Sequence, residues 1–491
     1  MQNKSDIVTH TLIMTAVNLI MKSAGVSFNA YLTSKIGSAG IGLFQLIMTV
    51  YSLAVTFSCA GIRLATTRVA VQNIALGKND LSKSLSMCIT YAGICGSLIG
   101  FVLFVFSDII GNVWISEPKT AFPLRVLSLS LPFVAMSSSL GGYFTAAQKI
   151  PQYSAIQMLE QGFKIAAVIF LLNRFSGYSA SYACIAVVTG MTASEIFSFT
   201  LSFLLKKLSL KTVTDMPATN IFKMLRVALP DAAGTCARSI LLTAEHLLIP
   251  RGFKKSGTGS AAALAAYGNI HAMAMPILLY PSAILSSLSS LLVPDLAKKN
   301  EIGDRKEINK SVAQILKKTL IFSIFAAVMC AAFAPGISKI VYKSNEAVMY
   351  IRILSPLVPI MYMDMITDGM LKGLDQQIYS MRYNIADSAM CVAMVYFLLP
   401  KYSVKGYIFI IYASELINFY LSLGRLIKIC DLRIKFYQAP QANNSRLSRL
   451  KKCSVFRGVC EYQTYPDRKK RSQAPQFFRR KDRIQDLHVW R

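Results

Sequence analysis

Apolar residues gather along this chain in runs of about 20, the length of helix that crosses a bilayer. About twelve such runs are legible, separated by polar stretches. They are Thr11–Leu32, Ile41–Ile62, Leu85–Phe106, Phe122–Phe144, Ala155–Leu172, Ala180–Leu205, Val227–Ile249, Leu264–Val293, Val312–Phe333, Val348–Leu371, Ala386–Leu399 and Gly406–Ile429. The eighth is long enough to bend, and Pro276 and Pro281 would supply the break. The first is too long for a signal-peptide core and is expected to stay as the first span.

The second set of six runs repeats the first. Leu124-Arg125-Val126-Leu127-Ser128 returns as Ile351-Arg352-Ile353-Leu354-Ser355. At the same offset Pro132 meets Pro359, Gly142 meets Gly369, and Glu160 meets Asp387. Ser194-Glu195 in the sixth run returns as Ser414-Glu415 in the twelfth. The pattern predicts an all-α integral membrane protein, two parallel six-helix repeats around a central cleft. The expected divisions are a first half (1–205), a cytoplasmic linker (206–226), a second half (227–430) and a basic tail (431–491). Leu81–Leu85 and Ile308–Val312 also echo each other and read as short amphipathic elements on the inner surface.

Composition agrees with burial in lipid. Of 491 residues 54% are hydrophobic and only 16% charged, against about 25% charged in an ordinary soluble protein. Basic residues concentrate in alternate loops, which places those loops and both termini in the cytoplasm. The tail holds 16 Lys and Arg against 5 Asp and Glu. Anionic lipid headgroups are its expected partner; no recognition motif argues for nucleic acid, and a frame-shifted end is a further reading. The Cys and His residues show no metal spacing, and most Cys read as small buried hydrophobes. No phosphate loop, nucleophile elbow or metal-protease helix is present, so neither an enzyme nor a resident cofactor is expected.

Ionisable residues inside spans carry the chemistry, because each is costly unless paired or wet. Lys22 lies mid-span in the first helix, where it either presents a cation to an anionic headgroup or pairs and snorkels; Asn29 could line the same path. Arg63 follows the second span, as phosphate contact or surface anchor. Glu160 and Lys164 are four apart and should neutralise each other, whereas Asp387, the repeat partner of Glu160, has no such base. Arg238 matches Lys22 broadly in the repeat, so the two could grip a diphosphate between the halves. Asp231 lies two turns from Arg238. Asp364 and Asp368 put like charges on one face. Lys22, Asn29, Arg63, Arg238, Asp364 and Asp368 are therefore candidates for substrate binding, and Asp231, Glu195, Asp387 and Glu415 for ion coupling. His246 reads as a lone histidine near the outer end.

Gly37 to Phe44, with Gly61-Ile62-Arg63-Leu64-Ala65 and Leu248-Ile249-Pro250-Arg251, resembles the polysaccharide-type flippases, in particular the stage V sporulation protein B group. Their superfamily also holds multidrug and toxin extrusion antiporters and the lipid II flippase. The resemblance implies alternating access and a lipid-linked glycan precursor, with an undecaprenyl-type carrier, crossing the cytoplasmic membrane. Membrane lipids and cell-wall synthesis proteins are the partners it implies. It also implies that cavity basic residues bind the diphosphate, a role Lys22 matches; Asn29 stands where such members often carry Arg. Many members have fourteen spans, two more than are legible here. Two other functions stay open: a cation-coupled drug or metabolite antiporter, and a non-transporting scaffold for wall or spore-coat synthesis.

Overall fold

The computed structural model describes residues 4–75, 81–147, 149–174, 180–209, 221–303 and 305–430, all within one of two compact units. The basic tail and the middle of the expected linker lie outside the described residues. Every regular element among the described residues is helical. In chain order these are α1 (Lys4–Cys59), α2 (Ile62–Ala75), α3 (Leu81–Ile109), α4 (Ala121–Ser128), α5 (Leu131–Ala146), α6 (Ile150–Arg174), α7 (Ala180–Ser209), α8 (Ile221–Lys255), α9 (Ser260–Gly268), α10 (Met275–Leu278), α11 (Ser282–Ile302), α12 (Arg305–Tyr342), α13 (Val348–Leu354), α14 (Val358–Gly373) and α15 (Gln377–Cys430).

The expected spans map onto these helices. The first two runs both fall in α1, and the chain leaves helical geometry between them only at Gly37, where φ is 72°. Glycine has no Cβ to forbid that conformation. The last two runs both fall in α15, broken at Ser403 (φ 50°) shortly after Pro400. The eighth is α9, a π-helical stretch at Asn269–Ala274, α10, and then α11 beyond a turn beside Pro281. Leu81–Leu85 and Ile308–Val312 are corrected: each begins a long helix, α3 and α12, rather than forming a separate surface element. The separate short helix is instead α2, which follows the second span. α7 runs on to Ser209 and α8 begins at Ile221, so both helices reach into the expected linker.

Matched sequence lies at matched architecture. The fourth span breaks between α4 and α5, with a bend of 47°. The tenth breaks between α13 and α14 at Ser355–Leu357. The repeated Leu-Arg-Val-Leu-Ser and Ile-Arg-Ile-Leu-Ser segments lead into these two breaks. Pro132 and Pro359 each open the helix that follows, where a missing N–H costs no hydrogen bond. Gly142 and Gly369 each let a neighbour approach closely: an added Cβ would meet the Arg63 carbonyl at 2.6 Å in one case and Ser289 Oγ at 2.1 Å in the other.

α8 packs along α15, and α1 packs on α9 and α11. The α1–α9 crossing is tight because both sides are glycine. A Cβ on Gly42 would lie 2.1 Å from the Leu264 carbonyl, and one on Gly268 would lie 2.4 Å from the Ser38 carbonyl. Cys88, Cys184, Cys330, Cys391 and Cys430 are buried thiols, the packing role expected of them.

Candidate functional site: a lysine-lined cavity and a carboxylate cluster

A cavity of about 540 Å³ lies among α1, α6, α7 and α10. Its polar lining is Lys22, Asn29, Gln45, Gln161, Lys164 and the Tyr280 end of the α10 turn. No Asp or Glu is among the residues that line it. Helix periodicity brings Lys22 and Asn29, seven residues apart on α1, to one side.

Lys22 neither pairs with a carboxylate nor snorkels. Its Nζ donates to the Leu279 carbonyl at 3.1 Å and to Ser282 Oγ at 2.9 Å. The break between α10 and α11 explains the acceptor, since a helix that stops leaves carbonyls without helical partners. Asn18 Nδ2 donates to Ser287 Oγ at 3.0 Å, and Ser23 Oγ shares a hydrogen bond with Tyr280 Oη at 2.8 Å. One face of α1 is thus stitched to the α10–α11 segment by three polar side chains. All of these partners are neutral, so the ammonium charge is not cancelled by a contact.

A second polar centre lies on α8, α14 and α15. Arg238 is within coulombic reach of Asp364, Asp387 and Glu415, and Glu245 is within reach of Asp387 and Glu415. Asp387 accepts from Ser414 Oγ at 2.7 Å. Asp364 accepts from Asn418 Nδ2 at 3.0 Å, while its other oxygen, Oδ1, is buried with no hydrogen bond. Asp368, one turn on, accepts from Ser380 Oγ at 2.7 Å and Asn384 Nδ2 at 3.3 Å. Three carboxylates, those of Asp364, Asp387 and Glu415, therefore share the field of one guanidinium.

The structure divides the residues singled out from sequence. Lys22 and Asn29 meet in the cavity. Arg238 and Asp364 join Asp387 and Glu415 instead, so the pairing of Lys22 with Arg238 about one diphosphate does not form here. Arg63 is exposed at the start of α2, its guanidinium 5.7 Å from the Tyr153 ring centroid, and does not line the cavity. Glu195 lies within coulombic reach of Glu160 and Lys164. The expected Glu160–Lys164 pair is present at 3.7 Å, and Ser198 Oγ donates to Glu160 at 2.7 Å. Asp231 lies on α8, and its side chain falls outside the described residues.

Three features were not legible in sequence. Lys164 does more than neutralise Glu160, because it also faces the cavity. His246 is not a lone histidine: its Nδ1 is 2.9 Å from Tyr267 Oη, and its ring centroid lies 4.7 Å from that of His271, whose Nε2 is 2.6 Å from Tyr407 Oη. The π-helical stretch sets His271 facing α8, and only a structure shows such a stretch. Finally, the end of α8 is tied to the turn after α3. Lys254 Nζ pairs with Glu117 Oε1 at 3.0 Å, Ser260 Oγ donates to the same oxygen at 2.8 Å, and Arg251 donates to the Val113 and Trp114 carbonyls. Among the described residues no group of three His, Cys, Asp or Glu is arranged to hold a metal ion.

Residues 7–300 match the polysaccharide biosynthesis protein family. The chain belongs to that family. Residues 256–398 also match the MatE family. Stage V sporulation protein B of Bacillus subtilis (strain 168) is 22% identical over 437 residues, covering 87% of this chain and 84% of that protein. Two solved structures are alike in fold. An inward-facing multidrug resistance MATE family transporter of the MOP superfamily covers 85% of this chain and 99% of its own, at TM-score 0.66 and 14% identity. The lipid II flippase MurJ in an inward closed conformation covers 84% and 87%, at TM-score 0.63 and 15% identity. This member of the polysaccharide biosynthesis protein family has many helices long and apolar enough to cross a membrane, arranged in the fold of those two structures.

Proposed function

We propose that the chain is an alternating-access flippase that carries a lipid-linked glycan precursor across the cytoplasmic membrane, with both termini inside. The observation that carries this reading is the cavity beside α1, which presents two lysines and three amides and has no carboxylate in its lining. A diphosphate needs that combination of charge and directed donors. Lys22 is poised for it, since its present partners are neutral oxygens that an anionic oxygen would outcompete. One protein alike in fold, by name a lipid II flippase, supports the class of cargo.

With the basic loops inside, the Glu117–Lys254 and Arg251 contacts and the Gly42–Gly268 crossing fall at the outer end. They close the seam between the halves on that side. Headgroup entry would then come from the cytoplasmic side, and release would require those contacts to part. The test is translocation of a lipid-diphosphate-sugar in vesicles that hold only this protein. Wild type should move the headgroup, and Lys22→Ala should abolish most of the movement. Activity unchanged in that variant would sink the assignment of the cavity.

A second reading is favoured by one observation. The carboxylates around Arg238, with Asp364 Oδ1 buried and unbonded, form a place for a proton or a small cation. We assign this cluster to coupling rather than to cargo. The same geometry would serve an antiporter of cationic drugs, which predicts transport of such compounds and indifference to Lys22→Ala.

A further inference from the structure

One group of buried titratable side chains belongs to neither the lysine-lined cavity nor the carboxylate cluster. His246 and His271 meet edge to face, with ring centroids 4.7 Å apart. Each is tied to a buried tyrosine, His246 Nδ1 to Tyr267 Oη at 2.9 Å and His271 Nε2 to Tyr407 Oη at 2.6 Å. α8 brings His246, α9 brings Tyr267, the π-helical stretch brings His271, and the last part of α15 brings Tyr407. Thr49 of α1 lies beside the Tyr267 hydroxyl, so the group reaches the first half. The π-helical stretch is braced by Tyr342 of α12, whose Oη donates to the Met273 carbonyl at 3.0 Å. Such a stretch inside a helix often marks a functional place.

Position gives the pair its meaning. His246 is five residues, about 8 Å, inward of Arg251 at the outer seam. Glu245 is seven residues, about 10 Å, outward of Arg238. Glu245 is within coulombic reach of Tyr267 and Tyr407 on one side, and of Asp387 and Glu415 on the other. The histidines therefore sit between the seam and the carboxylates, and Glu245 joins the two groups.

We infer that His246 and His271 form one proton-binding site, through which the outer side loads the carboxylates around Arg238. This rests on the assignment of those carboxylates to coupling, and it names the ion. When the seam parts, outer water reaches the imidazoles and one ring nitrogen takes a proton from hydronium. That nitrogen gives the proton to a Glu245 oxygen and is neutral again. The proton passes on to Asp387 or Glu415 and returns to water on the cytoplasmic side. The titratable groups around the pair are Glu245 on α8, Tyr267 on α9, Tyr342 on α12, and Cys391 and Tyr407 on α15; α1 contributes the neutral Thr49. None of these is a cation. Two protonated rings at 4.7 Å would repel each other, so the pair carries one proton at a time.

The hydrogen bonds choose the variants. An Asn amide stands where Nδ1 stands, and a Gln amide where Nε2 stands. His246→Asn and His271→Gln therefore keep the two tyrosine bonds and lose the ability to titrate. Headgroup flux would be measured in vesicles with the inner pH fixed. Wild-type flux should rise about tenfold or more as outer pH falls from about 8 to about 5, the interval in which histidine titrates. The double variant should show no such rise, and a rise of wild-type size in it overturns the site. If wild-type flux ignores outer pH but follows an imposed sodium gradient, the inference fails and the coupling reading stands. Glu245→Gln should also flatten the rise; a full rise in that variant overturns the path. A second measurement needs no transport. Imidazole nitrogen resonances of the full chain in vesicles, assigned by their loss in the single variants, report protonation directly. In Glu117→Gln, Arg251→Gln protein, where the contacts at the outer seam are removed, the pair should take up one proton over the same interval. Rings that both stay neutral there, or both become charged, overturn the inference. If the pair titrates but no headgroup moves in wild type, the proton site stands and the flippase reading fails.

Discussion

The polar centres of the two halves occupy matched positions in the repeat and differ in how their carboxylates are answered. In the first half Glu160 is answered locally, by Lys164 at 3.7 Å and Ser198 at 2.7 Å. In the second half its counterpart Asp387 has Ser414 at 2.7 Å and shares Arg238 with Asp364 and Glu415. Position 198 in the first half corresponds to 418 in the second, by the offset that matches Glu195 with Glu415. Ser198 serves Glu160, whereas Asn418 serves Asp364. The repeat has kept the places where carboxylates enter the membrane and let their partners diverge. Under the proposed function the lysine-lined cavity would hold an anion while the carboxylates around Arg238 would answer a cation, a division of roles between two sites.

The sharpest test of this division is a pair of substitutions. Lys22→Ala removes a charged donor from the anion side. A hydrogen bond to a charged group is worth about 1.5–3 kcal/mol, so binding of a diphosphate headgroup should fall roughly tenfold to hundredfold. Asp364→Asn should leave that affinity in place and flatten the dependence of transport on an imposed ion gradient. Titration calorimetry reads the first effect and gradient-driven vesicle flux the second. If both variants lose affinity equally, the two centres are one site and the comparison collapses.

A large effect on stability is expected where the halves touch. A Cβ on Gly268 would lie 2.4 Å from the Ser38 carbonyl and 2.9 Å from the Gly42 nitrogen, and neither backbone can step aside cheaply. Gly268→Ala should cost about 1–3 kcal/mol, in the range of overpacked sites, and lower the melting temperature of the purified protein. Gly162 on α6 has nothing within 4 Å of its Cβ position. Gly162→Ala should be neutral or slightly stabilising, because alanine is the better helix former. Equal melting temperatures for the two variants would show that the α1–α9 seam is not closed in solution.

The architecture was more legible in sequence than the sites. Hydrophobic runs of bilayer length announce spans whatever their neighbours do, whereas the recurrence of Arg125 and Pro132 as Arg352 and Pro359 showed a repeat without showing the two helix breaks beside it. The breaks at Gly37 and Ser403 were legible as gaps between runs, but that the helix continues on both sides of a single displaced backbone angle was not. The cavity was half legible. Lys22 stood out because charge within a span is rare. Lys164 did not, since its i, i+4 carboxylate explained it without a cavity. Arg238 was matched to Lys22 by position in the repeat, but its surroundings come from α14 and α15, more than a hundred residues later in the chain. Local pattern carries no information on such contacts.

Glu160→Gln gives a smaller effect of the opposite sign. Losing the carboxylate frees the Lys164 ammonium toward the cavity and makes the first half more basic still. The two side chains are 16% and 19% exposed, so screening limits the gain to about 1 kcal/mol or less. Headgroup affinity should rise about threefold. The matched change in the second half, Asp387→Asn, should leave affinity alone. A fall in affinity for Glu160→Gln would mean that the carboxylate positions Lys164 rather than competing with the headgroup for it.

The smallest expected effect lies at the seam that joins the two halves beyond the cavity. Burial of Glu117 favours its neutral form, but hydrogen bonds from Ser260 and Lys254 and the charges of Lys254 and Lys119 outweigh that and hold its carboxyl below the ordinary value of 4.5. A depressed carboxylate stabilises the closed seam at every pH above its ordinary value, and that contribution fades as pH falls through the lowered one. The seam should therefore be insensitive to pH from neutral down to about 5 and loosen only in stronger acid. Glu117→Gln should bring the loosened state to neutral pH, with backbone amide exchange at 113–117 and 254–260 rising about twofold to fivefold, the scale of a partly exposed ion pair. Arg251 holds the Val113 and Trp114 carbonyls independently of Glu117, so it should keep the seam from opening fully. Arg251→Gln combined with Glu117→Gln would then release more than the two single changes together. A strictly additive result would show that the two contacts close different movements, and the seam would no longer be a single gate set against the cavity.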